Sequence, residues 1–188
     1  HLARSESAGG EADPEQCETA LDATQRAAEL CPTMAGPYKT RGRVHGHRGR
    51  LTEVNDAMTA YREALRRLQT QPAERAAIFF NQGALLLTSD PGATLTKLNS
   101  VLEVLPTYED ANWLRGQAHL ALSKRLTGEE KREARDEHAR GAISDLTTAL
   151  EQKPEEDRIR HLLGIAYENA GDTTQAQTTF CELAKRGK

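Results

Sequence analysis

The chain has 188 residues, of which 37% are hydrophobic and 4% aromatic, and its formal net charge is −3. That length holds one compact domain or one short repeat array, and so low an aromatic content suits an array of closely packed helices better than a conventional two-layer core. The acidic balance gives no bulk attraction to nucleic acid, and no apolar run approaches the roughly 18 residues that a membrane span needs.

Residues 1–12 are polar, carry Gly and Ser and lack periodicity, so they are expected to form a disordered tail before a folded domain at 13–188. Asp13-Pro14 is a helix start, with an N-cap acceptor followed by Pro at the first helical position. That helix runs to about Leu30, before Pro32. Tyr38, Gly42 and Gly49 mark the next helix and its turn. Ala57, Tyr61 and Ala64 mark a further helix that ends before Pro72. Ala76 to Leu87 reads as a helix around Gly83, and Asp90-Pro91-Gly92 starts another, lined by Leu95, Leu98 and Leu102 up to Pro106.

Ala111, Trp113, Leu114, Gly116 and Leu120 carry the following helix. Ala142, Leu146 and Ala149 carry its partner, which ends near Pro154. Arg160 to Ala184 then reads as two short helices. Leu162, Leu163, Ala166 and Tyr167 give the first an apolar face, Gly171-Asp172 breaks the pattern, and Ala176, Phe180 and Leu183 line the second.

The terminating prolines Pro32, Pro72, Pro106 and Pro154 are separated by 40, 34 and 48 residues. Gly42, Gly83, Gly116 and Gly164, where two helices must approach closely, are separated by 41, 33 and 48. Two independent markers therefore repeat together, with the same irregularities. Leu163, Gly164, Tyr167, Gly171, Ala176 and Phe180 fall without a gap on the pattern W-x2-L-G-x2-Y…A-x3-F, with Arg160 in place of the Trp. The chain thus resembles the tetratricopeptide-repeat family, with about four repeats after an N-terminal half repeat marked by Ala20, Ala27 and Pro32. The resemblance implies an all-α right-handed superhelix, a solenoid of helix pairs.

The third repeat carries 14 residues more than the 34-residue period, between Leu122 and Ala142. Antiparallel helices absorb such an excess as about seven residues each, two turns that keep both apolar faces aligned. An extended helical hairpin with Thr127-Gly128 at its tip is expected; a structureless loop is the alternative.

In this family the first helices of successive repeats line a concave groove that binds partners. Carried over, the resemblance places Lys39, Arg43 and His47 in the groove from repeat one. From later repeats it places Phe80, Asn81 and Ala84, then Trp113 and Gln117, then His161. Such a groove is basic at one end and aromatic in the middle, and suits a peptide or helical segment with an acidic end and an apolar anchor. Packing of Phe80 and Trp113 between repeats is the competing reading. Lys39 and Asn81 also occupy two places of the clamp with which some members bind a C-terminal carboxylate. Arg43, Asp110 and Leu114 hold the other three places in the wrong chemistry, which argues against that mode.

Arg41 to Arg50 holds four Arg, two His and no acid. It reads as a solvated basic face, with a phosphate- or RNA-binding helical repeat as the alternative function; His45 and His47, two apart on a helix, do not share a metal. No nucleotide-, hydrolase- or metal-site motif occurs, so no catalysis, cofactor or metal is expected. The alternative in which catalysis enters is a recognition domain of a larger enzyme. Cys17 and Cys31 lie about 21 Å apart along a helix, too far for a disulfide. Buried thiols and a cytoplasmic location are expected, though a chain starting at His1 also fits a processed exported protein. The last helix pair lacks a following cap, so cover over Ala166, Ala170, Phe180 and Leu183 by self-association, a partner or further residues is expected; a monomer whose exposed face is blunted by Glu168, Gln175, Gln177 and Thr179 is the alternative.

Overall fold

Local capping chemistry sets several of the helix starts. In the computed structural model, which describes residues 13–48, 51–68 and 71–186, Asp13 Oδ1 accepts from the Glu15 amide at 3.1 Å and Pro14 opens helix α1, Pro14–Leu30. The expected tail at 1–12 and the turn at Gly49 lie outside the described residues. Further helices are α2 (Gly36–Arg48), α3 (Leu51–Arg67), α4 (Pro72–Leu86), α5 (Pro91–Val104), α6 (Ala111–Arg125), α7 (Arg132–Gln152), α8 (Asp157–Asn169) and α9 (Thr173–Arg186). No strand occurs among the described residues. The chain forms two compact units, His1–Ile78 and Phe79–Lys188, whose border falls within α4.

In the first unit α2 packs on both α1 and α3. The α2–α3 approach is close because Gly42 has no side chain: a Cβ there would lie 2.6 Å from the Tyr61 ring. Tyr61 is buried, as are Val44, Ala57, Ala60 and Ala64 of the same helix pair. The Arg67 guanidinium sits 3.9 Å from the Tyr38 ring centroid, and its Nε donates to the Pro32 carbonyl at 2.7 Å. One side chain thus ties the end of α3 to the turn before α2.

The second unit repeats the device. Asp90 Oδ1 accepts from the Ala93 amide at 2.9 Å with Pro91 as the first helical residue of α5, and buried Thr94 donates to the Gly83 carbonyl at 3.0 Å. Leu146 of α7 faces Gly116, and Phe180 of α9 faces Gly164; a Cβ at either glycine would lie 2.6 or 2.5 Å from those side chains. Leu120, Ala142, Leu146, Ala149, Ile159, Leu163 and Ala166 form one core cluster across α6, α7 and α8. Gly171, at φ 78°, makes the turn into α9, where Asp172 caps the Gln175 amide at 3.0 Å.

The long repeat is an extended helical hairpin, and its excess is divided unequally. Helix α6 has 15 residues, as α4 does, whereas α7 has 21 against 14 for α5 and α9. The remainder forms the connection, with Gly128 at φ 97° and a short 3-10 turn at Glu129–Lys131. The first helix stops early because Leu126 turns extended and Gly128 takes a backbone conformation that favours glycine.

Cys17 is buried as expected, but Cys31 and Cys181 are exposed, and all three are free thiols. Among the described residues no helix is long and apolar enough to cross a membrane.

Candidate functional site

The residues that the repeat pattern assigns to a partner-binding face lie on α2, α4, α6 and α8, the first helix of each pair. In the first unit Lys39 is half-buried and ion-paired with Glu74 at the start of α4. Its charge is therefore shared with an acid rather than offered whole to a ligand. Arg43 is exposed. The side chain of His47 lies outside the described residues.

In the second unit Phe80 is half-buried, and its ring centroid is 5.2 Å from that of Tyr108. Burial pushes the Tyr108 phenol above its ordinary range, with Asp110 adding to the effect. Asn81 is half-buried and Ala84 exposed. Helices α6 and α8 touch directly, so Trp113, Gln117 and His161 belong to one layer of neighbouring first helices. Trp113 is half-buried with its ring against the Leu120–Leu163 cluster. Its Nε1 and the Nε2 of Gln117, one helical turn further on, are two buried donors with no acceptor among the described residues. His161 is exposed and its ring is tilted against that of Phe180, centroid to centroid 5.8 Å. Phe180 itself turns inward to Gly164, so it serves the helix pair more than the end of the array.

The residues that the sequence set against the carboxylate clamp have other duties. Leu114 is core, 5% exposed. Asp110 accepts from Lys153 Nζ at 2.8 Å, a hydrogen bond that raises the lysine's pKa.

One polar cluster was missed because its members alternate between helices. Asp145 of α7 is buried and receives both Nε and an NH2 of Arg115 at 2.9 and 2.6 Å. His119 Nε2 lies 3.8 Å from the same carboxylate, and His119 Nδ1 lies 3.0 Å from His138 Nδ1. Burial, the largest cause, holds the His119 pKa below its ordinary value; Asp145 opposes that, and His138 and Arg115 reinforce it. The four-residue step from Arg115 to His119 was the available signal, since it places both on one face of α6. A polar cleft of about 650 Å³ opens beyond this cluster, with Lys124, Arg132, Arg135, Asp136, Glu168 and Asn169 among its lining. Its charges are mixed, so it selects no sign of ligand.

No family model matches the sequence, and no curated protein matches it either. Solved structures do match in fold. A crystal structure of MamA superposes with TM-score 0.71 at 17% identity, covering 91% of this chain and 82% of that one. The MamA RS-1 ArsTM double mutant gives TM-score 0.71 at 20% identity, covering 90% and 84%. YrrB, described as a TPR protein with an unusual peptide-binding site, gives TM-score 0.67 at 19% identity, covering 91% and 78%. With its helix pairs closed on small residues and this likeness to solved structures, the chain has a tetratricopeptide-repeat-type fold.

Proposed function

We propose that the chain is a non-enzymatic protein-interaction scaffold, holding a peptide or helical segment of a partner against the first helices of its repeats. The observation that carries the reading is the pair of unpartnered donors on α6, Trp113 Nε1 and Gln117 Nε2. A buried donor left unmade costs about 1–3 kcal/mol, so a side-chain rotation that brings either donor out to an incoming backbone carbonyl recovers free energy that the folded chain alone does not. The half-buried Trp113 ring beside them supplies an aromatic surface for an apolar anchor, the residue type on which binding energy concentrates. A preformed helix layer leaves most of the ordering cost with the ligand. YrrB's peptide-binding site, on a similar fold, supports the same reading.

Lys39 is ion-paired with Glu74, so it adds little to a preference for an acidic end. Selection of a displayed random-peptide library on the whole chain tests the proposal. Enriched peptides are expected to lose at least about tenfold in affinity with Trp113→Ala and with Gln117→Ala, the cost of one or two lost contacts. An affinity unchanged in both variants would contradict it, as would a library that yields no enriched sequence.

A further inference from the structure

His45 comes from α2, and Glu53 and Asp56 come from α3, so nothing in their spacing along the chain joins them. The fold does. His45 Nδ1 and Glu53 Oε2 are 2.5 Å apart, and each side chain is only 15% exposed. Asp56 stands three residues beyond Glu53 on the same helix face and is exposed. One ligand atom from each of the three lies within 4.8 Å of the others.

We propose that His45, Glu53 and Asp56 form a zinc-binding site that staples α2 to α3 beside their connection. Zinc takes imidazole nitrogen and carboxylate oxygen at about 2.0–2.2 Å, which sets ligand atoms roughly 3.3–3.5 Å apart around a tetrahedral ion. The His45–Glu53 pair has to open by about 1 Å and Asp56 has to swing inward, movements within the rotamer freedom of side chains near a helix surface. The ion takes the place of the proton in the His45–Glu53 hydrogen bond; a neutral imidazole then carries its proton on Nε2, an imidazolium releases one to solvent, and metal bonds to His45 Nδ1 and Glu53 Oε2 replace the hydrogen bond. Two carboxylates neutralise the divalent charge. The C-terminal end of α2, three residues beyond His45, adds a favourable negative end of a helix dipole.

The donor set selects the metal. An imidazole ligand disfavours magnesium and calcium, which prefer oxygen throughout, and no thiolate is present among the three to favour a softer ion. Three protein ligands leave a fourth position for water. The inference is independent of the peptide-binding face, since none of the three residues belongs to it.

Zinc titrated by calorimetry into the whole metal-stripped chain tests the site. One equivalent is expected to bind and to raise the thermal midpoint, with magnesium giving neither effect. Asp56→Asn, at an exposed position, is expected to keep the fold by circular dichroism and to weaken zinc by at least about tenfold, as is His45→Ala. The proposal is overturned if no zinc binds. It is equally overturned if both variants bind zinc as the parent does, which would move the ion to other histidines such as the His119–His138 pair.

Discussion

Gly116 and Gly164 each stand where a second-helix side chain fills the space that a Cβ would occupy. An added Cβ at Gly116 would lie 2.6 Å from Leu146 Cγ, and one at Gly164 would lie 2.5 Å from the Phe180 ring. Gly83 differs, because its nearest neighbour, Leu98, would stand 3.4 Å away, an ordinary contact. The consequence is a graded series. Gly116→Leu and Gly164→Leu are expected to destabilise by about 1–3 kcal/mol or more through overpacking. Gly83→Ala is expected to be neutral or slightly stabilising, because alanine favours the helix by roughly 0.5–1 kcal/mol over glycine. Chemical denaturation measures all three. Equal losses at Gly83 and Gly116 would show that the glycines do not act through these contacts. The glycine spacing was legible in the sequence because a small residue at a fixed period is a local signal. The partner side chain was legible for Phe180 by its pattern position. The looseness at Gly83 was not, since it depends on how deeply α5 seats, which no spacing records.

At the level of elements, the α6–α7 hairpin shows what periodicity can and cannot supply. The excess of 14 residues in the third repeat announced an extension. Its division between a 21-residue α7 and a short connection depended on where α6 stops, a matter of backbone conformation at Leu126 and Gly128. Cross-helix polar groups were equally hidden. His119 meets Asp145, His138 and Arg115 only once α6 and α7 are paired, with Glu137 also contributing to its field. Burial lowers the folded pKa of His119 below the value of about 6.5 that holds in the unfolded chain. The unfolded state therefore binds more protons as the pH falls below that value. Stability from this group is fully present above the unfolded pKa and is lost as pH falls through the folded one. The denaturation midpoint is expected to drop between pH 7.5 and pH 5, and His119→Gln, which cannot charge, is expected to flatten that drop. A slope unchanged in the variant would place the acid sensitivity elsewhere.

For the whole molecule, low hydrophobicity and a repeat period pointed to helix pairs that bury small residues, and both compact units are built that way. Ala57, Ala64 and Ala76 are fully buried or nearly so in the first, and Ala111, Ala118, Ala142 and Ala166 in the second. Such an array closes its core between consecutive helices, and in the proposed function the first-helix side chains meet a partner. Of the candidate face, the sequence offered Trp113 and Gln117 from one helix, while their unpartnered donors emerge only when the surrounding acceptors are placed. It also overstated the offered charge of Lys39, because Glu74 lies 35 residues away and pairs with it only through the fold. The most direct test is amide hydrogen exchange of the whole chain with and without a peptide selected on it. The account predicts slowed exchange concentrated in α6 and α8, residues 111–125 and 157–169; protection confined to α7 and α9, with the first helices unchanged, would contradict it.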